Sequence, residues 1–256
     1  MIDPRAVVAA DAEIADDVEI GPFAVIGAGV RIGAGSRIGP HAVIMGPTTL
    51  GRDSKVFQFA SIGDAPQDRK YAGEPTRLEV GDGNVFREFC SINRGTVGGR
   101  GVTTIADDCL FMAYSHVAHD CIVGSHCILS NCTALAGHVE LGDWVILSGY
   151  AGVHQFCKVG AHAFLANNAA VTRDVPPFLL VAGSPAEPKG VNSEGLKRRG
   201  FDAAQIANIK SAYRVFYRSG LKLAEAQEKL SALVPTQPEL KPFVDFIAAS
   251  ERSIIR

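Results

Sequence analysis

The chain has 256 residues, 47% hydrophobic and 20% charged, with a net charge of −2. That length suits one large domain plus a small one, and the near-neutral balance excludes a general nucleic-acid binder. No run of about 18 apolar residues occurs, so no membrane span is expected. Met1-Ile2-Asp3-Pro4-Arg5 lacks the charged and apolar regions of a signal peptide, so a cytoplasmic location is expected.

From the first residues an apolar side chain recurs every six positions: Ile2, Val8, Ile14, Ile20, Ile26, Ile32, Ile38, Ile44, Leu50, Val56 and Ile62. A fixed six-residue period predicts a parallel β-helix in which each hexad forms one side of a coil. With three sides per coil, residues about eighteen apart stack, roughly 4.8 Å from each other. Segment 63–79 lacks the pattern, which resumes at Val80, Phe86 and Ile92. A second break, 95–104, shifts the frame by one before the run from Ile105 to Val171. Such insertions are expelled as loops on one face, where binding groups are often carried. Proline cannot donate to a sheet ladder, so the solenoid is expected to end near Asp174-Val-Pro-Pro177, within a domain spanning 1–189.

Cys90, Cys109, Cys121, Cys127 and Cys157 fall four places after a ladder residue, in a slot otherwise held by Ala24, Val30, Ser36, Ala42, Thr48, Ser54 and Ala60. These cysteines are expected to be small buried hydrophobes rather than reactive thiols, and no CxxC pair is present.

Residues 190–256 read as a helical domain. Asn192 or Ser193 can cap a short helix that stops at Gly200, and Asp202-Ala-Ala-Gln205 resembles a capping box. It leads into Ile206, Ile209, Tyr213 and Phe216 at helical spacing, ending at Gly220. Leu223–Leu233 and Phe243–Ile254 are further helix candidates. From Lys189 onward 12 Lys/Arg face 7 Asp/Glu, a balance of +5, while the rest of the chain carries −7. That asymmetry points to an acidic partner at the C-terminal end. The open faces of a solenoid favour cyclic self-association.

Chemistry concentrates after Val117, Leu135 and Val153, which begin one side on successive coils. There the ladder places His119-Asp120, His138 and His154-Gln155 near one corner, with His116 just before. Two readings stay open on spacing alone. Three neutral imidazoles can hold zinc, as in the γ-class carbonic anhydrases. Alternatively, His119 is a general base oriented by Asp120, suited to deprotonating a hydroxyl that attacks a thioester, with the Gly137 N–H meeting the oxyanion.

Five segments decide between them: Gln67-Asp-Arg-Lys-Tyr-Ala-Gly-Glu-Pro-Thr-Arg77, His116-Val-Ala-His-Asp120, Ala134-Leu-Ala-Gly-His138, Val153-His-Gln-Phe156 and Gly190-Val-Asn-Ser-Glu-Gly-Leu-Lys-Arg-Arg-Gly-Phe201. In order and spacing the chain resembles the acyl-[acyl-carrier-protein]–UDP-N-acetylglucosamine O-acyltransferases, the family that begins lipid A synthesis. The resemblance implies a left-handed parallel β-helix, against the usual right-handed crossover rule, followed by a helical domain. It implies a homotrimer with substrate clefts between subunits. It also implies transfer of an (R)-3-hydroxyacyl group from the phosphopantetheine of acyl carrier protein to the 3-hydroxyl of UDP-N-acetylglucosamine, with no metal or other cofactor. By position, His119 matches the base, Asp120 its orienting carboxylate and Gly137 the oxyanion donor. Lys70, His116, His138, His154 and Gln155 match cleft residues, and Gln67 and Asp68 match sugar contacts. Asn192, Glu194 and Arg199 match nucleotide contacts, and Arg198 a cleft arginine. The acidic carrier protein is then the expected partner of the basic C-terminal segment.

Two positions depart from the family pattern. Asn93 stands where histidine is common; it cannot take a proton near neutral pH, and is expected to relax discrimination between a 3-hydroxyl and a 3-amino sugar. Asn167 occupies the acyl-chain ruler position, where glycine admits a long chain, and is expected to select a shorter one. The runner-up family is the related UDP-3-acyl-glucosamine N-acyltransferase, which normally carries an extra N-terminal domain, whereas here the ladder starts at Ile2. A zinc lyase on this scaffold predicts bound metal, and a non-catalytic solenoid predicts no effect of replacing His119.

Overall fold

The computed structural model describes residues 1–250 and 253–256. Each hexad forms a short strand and then a corner. The strand's second residue points inward, as in Val25–Ile26, Val43–Ile44 and Ile128–Leu129. The corner residue three places on adopts the left-handed conformation, at φ near 60° for Phe23, His41 and His126. Strands stack into three sheets of nine, eight and ten strands, parallel except for the last strand of the third. The nine-stranded face runs from Val7–Val8 to Ala170–Val171, the eight-stranded face from Glu13–Ile14 to Lys158–Val159.

The register obeys the expected coil length. Val25 pairs with Val43 and His116 with Ala134, eighteen residues on in each case. Across the first insertion Ser61 pairs with Ser91, thirty residues on; the surplus of twelve is two whole hexads, so the frame survives. Across the second, Ser91 pairs with His116, twenty-five on; the surplus of seven is one hexad plus one, which shifts the frame. The excursions are narrower than the segments 63–79 and 95–104 expected from sequence. Strands Ser61–Asp64 and Arg77–Val80 flank the first, and Val102–Ile105 claims the end of the second.

The coil interior is a continuous apolar column. Cys90, Cys109, Cys121, Cys127 and Cys157 are buried within it, as expected, and burial pushes the Cys121 thiol up to about 12. Phe86 and Phe111, one coil apart and fully buried, stack at 4.8 Å with planes 9° apart. Replacing Phe111 by alanine leaves a cavity that neighbouring coils cannot fill without breaking register. The expected loss is about 3–5 kcal/mol, read by denaturant unfolding.

The ladder does not stop at Asp174–Pro177. Val175 still bridges to Val159, and Leu179–Ala182 adds a parallel strand beside Phe164–Leu165. Glu187–Val191 then returns antiparallel. The prolines fit because Pro177 packs over Gly160, where a Cβ would lie 2.4 Å from the proline ring. Four helices follow: α1 (Ser193–Arg198), α2 (Ala203–Arg218), α3 (Leu223–Ser231) and α4 (Lys241–Ala249). Asn192 caps α1, and Asp202 and Gln205 form the capping box of α2. α3 and α4 end earlier than sequence suggests. Ile254 is instead drawn to Asp174 as a bridge, and residues 251 and 252 of the expected helix lie outside the described residues. Leu196, Ile209, Phe216, Leu230, Phe243 and Ile247 are buried among the helices and continue the apolar core of the solenoid. Among the described residues no helix is long and apolar enough to cross a membrane.

Candidate active site

The site lies on the nine-stranded face and at its corner with the eight-stranded face. Three positions of the hexad meet there. The strand position carries His116, Ala134, Gly152 and Ala170 in one register column. Residues two places past the ladder are His119, Gly137 and Gln155; the left-handed corner holds Asp120, His138 and Phe156. His119, His138 and His154 therefore do not stack in one column, as the simple ladder suggests. His119 lies over Gly137, and His138 lies over Phe156 with ring centroids 4.4 Å apart. His154 stands exposed one position earlier, its Nδ1 3.2 Å from the Gln155 carbonyl.

The His119 ring is fixed from two sides. Its Nδ1 is 2.9 Å from Asp120 Oδ2. Its other edge presses on Gly137, where a Cβ would lie 2.6 Å from Cε1 and 2.8 Å from Nε2. Among the described residues the Gly137 N–H donates to no acceptor, while its carbonyl accepts from Phe156 N–H at 3.1 Å. A ring nitrogen and an unspent backbone donor thus sit side by side. That pairing suits removal of a proton beside a developing oxyanion.

Asp120 is 2% exposed. Burial alone raises its pKa, but hydrogen bonds from Thr96 and His119 outweigh it and hold the carboxyl below its ordinary value. An ionised Asp120 requires a donor at His119 Nδ1, leaving Nε2 as the basic nitrogen. His116 and His138 are pushed down, first by burial and in part by the His119 charge, though Asp120 and Asp68 oppose the effect at His138. His116 Nδ1 is also 2.7 Å from Ser91 Oγ.

The zinc reading fits this geometry poorly. His119, Asp120 and His138 present ligand atoms within 4.8 Å of one another, but His154 is not among them. Both Asp120 oxygens already accept donors from Thr96 and Arg100, whose N–H groups repel a cation.

A cleft of about 690 Å³ opens over the nine-stranded face, lined by Gln67, His116, His119, Gly137, His154 and Gln155. Ala134, Gly152 and Ala170 floor it, and Tyr150, Asn168 and Thr172 continue it along the coil axis. A larger hollow of about 850 Å³ at the amino-terminal end, beside Met1, Arg37 and Lys55, has no histidine. The chemistry, not the size, selects the smaller cleft.

Residues 174–255 match the family described as UDP N-acetylglucosamine O-acyltransferase, domain 2, and residues 103–137 match the bacterial transferase hexapeptide family. The chain is 56% identical over its whole length to the acyl-[acyl-carrier-protein]–UDP-N-acetylglucosamine O-acyltransferase of Thiobacillus denitrificans, covering 99% of that protein. It is 55% identical, again over its whole length, to the Stenotrophomonas maltophilia enzyme of the same name, covering 97% of it. The structure of the Francisella novicida UDP-N-acetylglucosamine acyltransferase superposes on all of the chain and 94% of that protein, with a TM-score of 0.98 at 44% identity. The Acinetobacter baumannii structure gives 0.97 at 41%, covering all of this chain and 99% of that one. The chain belongs to the UDP-N-acetylglucosamine O-acyltransferase family. It is an acyltransferase built as a left-handed parallel β-helix with a helical C-terminal part.

Within one chain of this acyltransferase the expected site residues form two groups. Gln67 lines the cleft, and the charge of Asp68 is felt at His138. Lys70 is exposed, and its backbone N–H donates to Asp68 Oδ1 at 3.0 Å. Asn93 is 4% exposed and donates to the Ala65 carbonyl at 3.1 Å, so its amide ties down the first insertion. Asn192, Glu194, Arg198 and Arg199 belong to the edge between the eight- and ten-stranded faces. There Arg199 stacks on Trp144 at 5.1 Å and approaches His162 Nδ1 at 3.4 Å. Burial and the Arg199 charge push His162 down to about 4, which keeps its ring neutral. Asn192 is spent on capping Gly195 N–H and on the His162 carbonyl, and Glu194 pairs with Arg198 at 3.1 Å. Asn167 is exposed beside the cleft's far end; it is the adjoining Asn168 that lines it.

Sequence reasoning missed the residues around Asp120. Thr96, Gly99, Arg100 and Thr103 all reach it or closely approach it from the second insertion and the strand that follows. The usable signal was that insertion's position, one coil before the His119-Asp120 corner.

Proposed function

We propose that this chain transfers an (R)-3-hydroxyacyl group from the phosphopantetheine thioester of acyl carrier protein to the glucosamine 3-hydroxyl of UDP-N-acetylglucosamine, the first step of lipid A biosynthesis. The observation that carries the mechanism is the contact of the Asp120-bound His119 ring with Gly137. His119 Nε2 takes the 3-hydroxyl proton as the oxygen attacks the thioester carbon. The Gly137 N–H meets the tetrahedral oxyanion, and collapse expels the phosphopantetheine thiolate, which takes from the His119 imidazolium the proton the sugar gave up. Asp120 stabilises the transient imidazolium without being protonated itself.

The acyl chain runs over the small residues Ala134, Gly152 and Ala170 toward Asn168. The two separated groups of site residues support a homotrimer. The Arg199–Trp144 edge of one subunit closes the histidine cleft of the next, so that nucleotide and sugar contacts come from different chains. The basic C-terminal helices receive the acidic carrier protein. Both substrates of this reaction are cytoplasmic, and so is the enzyme.

A mass-spectrometric assay offering mixed (R)-3-hydroxyacyl carrier proteins and both the 3-hydroxyl and 3-amino UDP-sugars tests this reading. The expected product is the 3-O-acyl ester. Its chain is roughly ten to twelve carbons, because the side chain of Asn167 takes room beside the cleft's end that a glycine would leave open. Clear preference for fourteen carbons contradicts the ruler role of Asn167. Strict rejection of the amino sugar contradicts the relaxing effect assigned to Asn93, whose Oδ1 is buried and has no hydrogen-bond partner among the described residues.

A further inference from the structure

The second insertion does more than shift the frame: it closes over the Asp120 carboxylate. Thr96 N–H lies 3.1 Å from each oxygen, Thr96 Oγ1 donates to Oδ2 at 2.6 Å, and Arg100 N–H donates to Oδ1 at 3.0 Å. Gly101 and Gly99 N–H groups donate to the Thr96 carbonyl at 2.9 and 3.1 Å, folding the loop back on itself so that its donors converge. Asp120 N–H is in turn held by Thr103 Oγ1 at 2.8 Å. The approach is so close that a Cβ on Gly99 would lie 2.4 Å from the Asp120 carboxyl carbon and 2.5 Å from Oδ2. Thr96 is 6% and Asp120 2% exposed, so the bonds between these two residues are shielded from water.

We infer that the Thr96–Arg100 loop is a carboxylate cradle and that Thr96 is a positioning residue for the acyl transfer, acting through Asp120 on His119. Oδ2 is shared between the Thr96 hydroxyl and His119 Nδ1. The hydroxyl therefore fixes where that oxygen sits and how much of its charge reaches the imidazole. Without the hydroxyl the carboxylate rotates more freely and holds the imidazolium more tightly. The base then becomes less well placed and harder to deprotonate.

This inference rests on the proposed role of His119, so the two are tested together. The variants Thr96→Val, Thr96→Ser and Gly99→Ala, with His119→Gln alongside, are assayed with acyl carrier protein and UDP-N-acetylglucosamine across pH, and their melting temperatures are recorded. For Thr96→Val the expected result is a fall in kcat of about 10–100-fold with KM changed less than about 2-fold. The acid limb of its pH–rate profile is expected to move upward. Thr96→Ser, which keeps both donors, restores the wild-type limb and most of kcat. Gly99→Ala reproduces the valine phenotype by pushing the loop off the carboxylate, and serves if Thr96→Val does not fold. An unmoved acid limb in folded Thr96→Val or Gly99→Ala overturns the inference. So does a loss in Thr96→Ser equal to that in Thr96→Val. If those results accompany an inactive His119→Gln, the base assignment stands and only the cradle falls. If His119→Gln keeps full activity, both fall.

Discussion

Replacing His119 by glutamine is expected to lower kcat by on the order of 10²–10⁴-fold while the fold and its melting temperature are retained. Glutamine can still donate toward Asp120 Oδ2, the acceptor now 2.9 Å from His119 Nδ1, so the carboxylate is not left unpaired. What is lost is a ring nitrogen that can accept the hydroxyl's proton. No neighbour can take over. His138 Nε2 is 3.8 Å from Asp120, and its ring is stacked on Phe156 and pushed down by burial. His116 is bound to Ser91 and likewise depressed by burial. Steady-state kinetics with saturating sugar and carrier protein read the effect. Retention of more than a tenth of the wild-type kcat would show that another group does the work.

Gly137→Ala is expected to cost about 10²-fold in kcat, because displacing a catalytic group by about 1 Å is worth that much. The position does not require glycine for its backbone conformation, since no left-handed φ occurs there. It requires glycine for space. A methyl group would lie 2.6 Å from His119 Cε1, and the ring can retreat only by lengthening its bond to Asp120 or pressing on His138, whose ring meets it edge-on at 5.1 Å. The coil itself is indifferent: the same column carries Gln155 one coil later, so the melting temperature is expected to hold. A folded Gly137→Ala variant with wild-type kcat would mean that the ring does not rest there during turnover.

The periodic part of the molecule was legible because one rule repeats. An inward aliphatic every six residues, small residues in the fourth slot and a left-handed corner account for all three faces, the cysteine burial and even the frame shift. The site was legible only in part. The ladder placed His119, His138 and His154 near one corner, but an inward-pointing repeat does not say how outward side chains lean. Only the three-dimensional register separates the His119–Gly137 column from the His138–Phe156 column. Asn93 illustrates the same limit. Its neighbours marked it as a sugar contact, whereas an insertion distant in sequence claims its amide through Ala65. The Thr96 cradle was invisible, since a loop without periodicity gives no coordinate for its donors. The end of the solenoid was misjudged because a proline rule written for central strands overlooked a glycine opposite, Gly160, that makes room for Pro177.

In the proposed mechanism His119, held by Asp120, removes the sugar hydroxyl's proton as the thioester is attacked beside Gly137. The most direct test is the pH dependence of kcat/KM for the wild type and for His119→Gln under identical conditions. A wild-type rate that rises through a single acid-side ionisation, with a residual His119→Gln rate that lacks this limb, is the predicted result. The same limb surviving in His119→Gln would contradict it.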